Sequence, residues 1–218
     1  DIDYTIIIKN KNQVINTIKK MSKKLNFIDI EKGDSIKSKY ISVHFLINNK
    51  LVDIAFFYKD NMDKFVNCLY KSKDNFLKYQ HMLKHKIIDS IAVYDPNNLL
   101  ISYKTKVNKF SKNITEKVYN DSMNCLKENL YAWKSQDFRN QFHFSYELQE
   151  IILNICLALY VKNKKLFMLP YKRLHKDLKL LKPNIEKEMY FLINGNNSKN
   201  QISKKIKTLE KIINKLEA

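Results

Sequence analysis

Along the first sixty or so residues, apolar positions fall in short alternating runs; beyond about residue 104 they recur every three or four. Residues 1–10 read as a strand centred on Tyr4, Thr5, Ile6, Ile7 and Ile8. Residues 11–25 set Val14, Ile18, Met21 and Leu25 at helical spacing with lysines between them. Phe27–Ile30 predicts a short strand, and Lys32-Gly33-Asp34-Ser35 a turn. Lys39–Ile47 and Leu51–Tyr58 predict a hairpin closed at Asn48-Asn49, a residue type that tolerates the positive φ of a two-residue turn. Helices are predicted over 61–70 and 75–85, a strand over 87–94, and a turn at Asp95-Pro96-Asn97-Asn98.

The later period predicts long helices over 114–133 and 138–161, the second with Leu148, Ile152, Ile155 and Leu159 on one face. A shorter helix over 171–181 starts behind Pro170. Another, over 186–193, stops at Asn194-Gly195. The last helix spaces Ile202, Ile206, Leu209, Ile213 and Leu216 as a heptad-like seam, which suits docking on its own domain or pairing in a homodimer. The fold class expected is therefore α+β. A mixed sheet with helices occupies 1–104, and an all-helical domain occupies 105–218.

Composition narrows the function classes. The chain is 44% hydrophobic and 12% aromatic, which excludes a disordered chain. No uncharged apolar run reaches the length of a membrane span, and no secretory signal opens the chain, so a cytoplasmic, membrane-free protein is expected. Cys68, Cys125 and Cys156 are isolated, without the spacing of a zinc site or a disulfide framework. The net charge of +18 favours polyanionic partners. Only Arg139 and Arg173 are arginines, however, and abundant Lys, Asn and Ile with scarce Gly and Pro also follow from an AT-rich coding sequence. With Gly33 and Gly195 the only glycines, phosphate-cradling glycine loops are excluded.

The chemistry left is acidic. Asp1 and Asp3 are two apart on a strand and so share a face. Asp53 interrupts the apolar run Leu51–Phe57, where a buried carboxylate would be costly without a partner. Three carboxylates converging at a sheet suit Mg²⁺. Without convergence, Asp1 and Asp3 are solvated residues, and Asp53 lies on the wet face opposite Val52, Ile54 and Phe56.

In order and spacing, these features resemble the nucleotidyltransferase superfamily that includes DNA polymerase beta, and within it the antibiotic nucleotidyltransferases and their bacterial relatives. The Asp-x-Asp of that family matches Asp1 and Asp3, and its later Asp matches Asp53 between Val52 and Ile54. Ile91-Ala92-Val93-Tyr94-Asp95-Pro96 is similar to the strand and turn closing the family's catalytic half. Leu157–Tyr160 through Leu169-Pro170-Tyr171-Lys172 is similar to its helical domain with a Pro-x-Lys segment. The family's Gly-Ser turn lies upstream of the Asp-x-Asp, so it is expected ahead of Asp1.

The resemblance implies Asp1, Asp3 and Asp53 as ligands of one or two Mg²⁺ ions. Asp53 would also be catalytic, and Lys172 would bind the nucleotide. Glu147, or Glu150 one turn on, would activate an acceptor hydroxyl. The substrates implied are a nucleoside triphosphate and a small-molecule hydroxyl, with pyrophosphate released. A tRNA- or RNA-modifying or toxin-type transferase is the alternative within the family. A non-catalytic basic module binding nucleic acid or protein is the alternative outside it.

Overall fold

The computed structural model describes residues 2–9, 11–24, 27–33, 40–135, 141–167, 174–194 and 197–218; the backbone alone is described at 2, 3, 11–14, 27–33, 40, 141–143 and 199. The fold is α+β. It divides into two compact units, residues 1–69 and 70–218. Residue 104, where the change of period suggested a boundary, lies inside a helix of the second unit.

The first unit runs β1 (Ile2–Ile8), α1 (Lys11–Ser22), β2 (Phe27–Gly33), β3 (Tyr40–Ile47), β4 (Lys50–Tyr58) and α2 (Lys59–Cys68). The sheet order is β1-β4-β3-β2. β1 pairs parallel with β4, and the other neighbours are antiparallel. Asn48 and Asn49 have φ of 49° and 60°, the left-handed conformation that a two-residue hairpin turn needs and that Asn tolerates. β2 is longer than its sequence predicted: Lys32 and Gly33 pair with Ile41 and Tyr40 rather than turning.

Alternation decides which face is apolar. Val43, Phe45, Val52, Ile54 and Phe56 form one core cluster, with Ile8, Ile41 and Tyr58 and, from α1, Ile18 and Met21 packed against it. The other set of β4 positions holds Asp53, Ala55 and Phe57. Asp53 is half-buried, while Ala55 and Phe57 are buried. That second face is thus polar at one end and apolar at the other.

In the second unit, α3 (Lys73–Leu83) runs into a π-helical turn at Lys84–Ile88. Five helices and a short one follow: α4 (Leu99–Val107), α5 (Lys112–Ser135), α6 (Gln141–Lys162), α7 (Leu174–Leu178), α8 (Glu186–Ile193) and α9 (Lys199–Glu217). The strand predicted over 87–94 does not form. Ile91, Val93 and Tyr94 are 90%, 83% and 85% exposed, so the β-branched run has no strand to pair with and no core to enter. Asp95 of the following turn instead accepts the backbone N–H groups of Leu99 and Leu100, each at 2.8 Å, and caps α4, a helix the sequence did not reveal.

α6 is long and apolar enough to cross a membrane by length and composition alone. Phe144, Ile151, Ile155, Ala158 and Leu159 are fully buried, and α6 lies against α5, α8 and α9, which accounts for its hydropathy as that of a core helix. The α9 seam is used within the unit as well: Ile202, Leu209, Ile213 and Leu216 are buried and Ile206 is half-buried, while Ile212, outside the predicted seam, is buried too.

Two polar clusters tie these helices. Lys84, in the π-helical turn, is 9% exposed and reaches Asp89 at 3.8 Å and Asp177 at 4.0 Å. The Tyr160 hydroxyl donates to Asp177, and burial first, then the Asp177 carboxylate, push that phenol well above its ordinary range. Lys84→Met keeps the packing of the stem but withdraws the cation from two carboxylates. It is expected to cost about 2–3 kcal/mol in urea unfolding. Unchanged stability would show that the cluster is solvated rather than structural.

On α8, Glu188 is buried, and its Oε1 accepts from Lys211 at 2.8 Å and Lys215 at 2.9 Å. Burial pushes its carboxyl up, but the two lysine bonds outweigh that and bring it to about 2 from 4.5. A depressed folded-state value stabilises above the unfolded value and is lost as pH falls between them. The clip should therefore contribute about 1–2 kcal/mol above pH 4.5, allowing for the partly exposed lysines, and nothing below pH 2. Glu188→Gln should flatten the acid limb of the stability curve over that window; a limb unchanged by the substitution would refute the clip.

Candidate functional site

The ladder between β1 and β4 pairs Asp3 with Asp53. Neighbouring strands lie ~4.8 Å apart and paired positions share a sheet face. The two positions therefore stand side by side, on the face away from the Val43–Phe56 cluster. The same row continues across the sheet: Asp53 pairs with His44, and His44 with Asp29. Positions 3, 53, 44 and 29 thus form one line over all four strands.

Within this row the Asp53 side chain is 31% exposed and that of His44 is 22% exposed. The Ser42 hydroxyl, on a residue only 4% exposed, donates to Asp53 Oδ1 at 2.6 Å. His44 Nε2 lies 3.5 Å from the same oxygen. The cost of placing a carboxylate in an apolar strand is met locally by a buried hydroxyl from the hairpin partner. An open hollow of about 460 Å³ bordered by Tyr4, Phe45, Asn48, Lys50 and Ile54 is a separate feature: Val52 and Ile54 belong to the opposite face from Asp53.

The other expected residues belong to the second unit or lie outside what is described. Asp1 and Lys172 lie outside the described residues. Glu147 sits on α6 in the second unit, half-buried, and its Oε2 accepts the Trp133 indole N–H at 2.7 Å. Glu150, on the same helix, is exposed, and its Oε1 lies 3.7 Å from Cys125 Sγ.

Among the described residues, no three His, Cys, Asp or Glu side chains are grouped to hold one ion. Asp1, and the side chains of Asp3 and Asp29, lie outside that set. The donor chemistry at the row suits a divalent cation: two carboxylate positions in register on adjacent strands, one of them half-exposed and oriented by a buried hydroxyl. Ser42 and His44 are the residues that sequence reasoning missed. A signal for them existed, because a two-residue turn at 48–49 forces 47 opposite 50, hence 44 opposite 53 and 42 opposite 55, two pairs further on and on the same face.

No family model matches this chain, and no curated protein matches it. Among solved structures it is similar to a nucleotidyltransferase-like protein from Exiguobacterium sibiricum 255-15. The two are 12% identical with a TM-score of 0.45, over 94% of this chain and 75% of that one.

Proposed function

We propose that this protein is a Mg²⁺-dependent nucleotidyltransferase that moves a nucleoside monophosphate from a nucleoside triphosphate to a hydroxyl group. The observation that carries the reading is the pairing of Asp3 with Asp53 on parallel neighbours, with the half-buried Asp53 on the face away from the core cluster. Asp3 and Asp53 would hold the cation, and the family resemblance adds Asp1 as a further ligand. When bound, such an ion neutralises the triphosphate and aligns the attacking and leaving oxygens.

The residues of the chain do the rest. Ser42 fixes Oδ1 of Asp53, so the carboxylate is oriented before substrate arrives. Asp53 accepts the proton of the acceptor hydroxyl as that oxygen bonds to the α-phosphorus. The bond from the α-phosphorus to its bridging oxygen breaks, and pyrophosphate leaves with the electron pair. Lys172 would supply positive charge to the phosphates. Glu147 is held by Trp133, so acceptor activation is assigned to Asp53.

The acceptor fitting a chain of net charge +18 is neutral or anionic, since a polycation would be repelled at long range. We take a small-molecule hydroxyl as the acceptor; the lysine-rich surface also favours an RNA end, whose binding would weaken steeply with salt. The test is incubation of the full-length protein with each α-labelled nucleoside triphosphate, Mg²⁺, and acceptors that include bulk RNA. Label transfer with matching pyrophosphate release, abolished by chelation, is the expected result. Absence of both triphosphate binding and pyrophosphate release overturns the proposal in favour of a basic binding module.

A further inference from the structure

We infer that His44 belongs to the cation site itself and shifts its preference from Mg²⁺ toward Mn²⁺ and Zn²⁺. The inference rests on the transferase reading only in taking Asp53 as a ligand. Its first support is the ladder. Position 44 stands directly between Asp53 and Asp29 in one row, so an imidazole is flanked on both sides by carboxylate-bearing positions.

The second support is distance. His44 Nε2 and Asp53 Oδ1 are 3.5 Å apart. That is long for a hydrogen bond of this kind. Two donor atoms bound ~2.0–2.2 Å from one ion sit about 3.3–3.6 Å apart on a tetrahedron and about 2.8–3.1 Å apart on an octahedron, so the spacing seen fits tetrahedral Zn²⁺ directly and octahedral Mn²⁺ after a side-chain shift of about half an ångström. The third support is orientation. The buried Ser42 hydroxyl holds Oδ1 from β3, the strand that also carries His44, so the oxygen is fixed from the side on which the ring stands.

A hydrated ion can reach both groups, since the Asp53 side chain is 31% and that of His44 22% exposed. The chemistry then selects the metal. Carboxylates alone suit Mg²⁺, which binds imidazole poorly and demands oxygen donors. One neutral nitrogen in the set favours the later divalent ions, Zn²⁺ most and Mn²⁺ moderately. A cross-strand His–Asp pair without metal is the competing account, and it predicts no nitrogen on any bound ion.

The test uses the full-length protein and Mn²⁺ as probe. Electron spin-echo modulation of bound Mn²⁺ should show a directly coordinated ¹⁴N in the wild-type protein, which needs no variant to fold. In titrations, His44→Gln should weaken Mn²⁺ binding about tenfold and abolish the nitrogen signal, while Mg²⁺ affinity changes less than about twofold. Mn²⁺ binding that depends on Asp53 but shows no nitrogen overturns the role of His44 and leaves the transferase reading standing. Binding unaffected by Asp53→Asn as well as by His44→Gln overturns both.

Discussion

Asp53→Asn in the full-length protein is expected to lower nucleotidyl transfer by about a thousandfold or more while the fold survives. The substitution removes a negative charge from the place where a cation must be held and a proton accepted, effects worth several kcal/mol in the transition state. It keeps the acceptor oxygen to which Ser42 donates at 2.6 Å, so the local hydrogen bond persists. The neighbours Val52 and Ile54 face the core and are untouched. Stability should therefore change by less than about 1 kcal/mol. The check is label transfer measured beside urea unfolding of the same preparation. Turnover within tenfold of wild type would remove Asp53 from the mechanism; lost turnover with a lost fold would have to be separated by Asp53→Glu, which keeps the charge and moves it by one methylene.

The largest effect on stability is expected at Trp133. Its ring is 1% exposed, lies 4.4 Å from that of Phe144, and donates through its N–H to Glu147. Truncation to Ala opens a cavity between the two longest helices and withdraws a donor from a half-buried carboxylate. The cost should be about 3–5 kcal/mol, or a fall in Tm on the order of 10 °C. Trp133→Phe retains most of the packing and should cost roughly a third as much. Because Trp133 is the only tryptophan, the comparison needs far-UV circular dichroism rather than fluorescence. Equal losses for Ala and Phe would mean that the N–H to Glu147, not the ring, holds α5 to α6.

The hairpin and the long helices were legible because each carries its own local signal. Asn48-Asn49 between two alternating runs specifies both the turn and the register, and the burial of Val52 and Ile54 around a half-exposed Asp53 follows from period two. α8 runs over the predicted Glu186–Ile193, where Glu186 opens it and Asn194 ends it. The parallel pairing of β1 with β4 has no such local signal. It joins residues about fifty apart; the resemblance implied only that Asp1, Asp3 and Asp53 share an ion, and the register comes from the ladder.

Strand-like composition misled at Ile91-Ala92-Val93-Tyr94. Whether a β-branched run becomes a strand depends on a neighbour to bond with, which sequence alone does not supply. The same limit hid α4, whose start is set by the Asp95 side chain capping Leu99 and Leu100. At the candidate site, Asp3 and Asp53 stood out as acidic residues in apolar strands, whereas Ser42 and His44 became visible only through the pairing that sets them beside Asp53.

Diffraction from crystals of the full-length protein grown with Mn²⁺ and a non-hydrolysable nucleoside triphosphate tests the central claim most directly. An anomalous peak bridging the carboxylates of Asp3 and Asp53 is expected, with the triphosphate over that row of the sheet. A metal peak on the opposite face, or a triphosphate bound with no metal at Asp53, would contradict it.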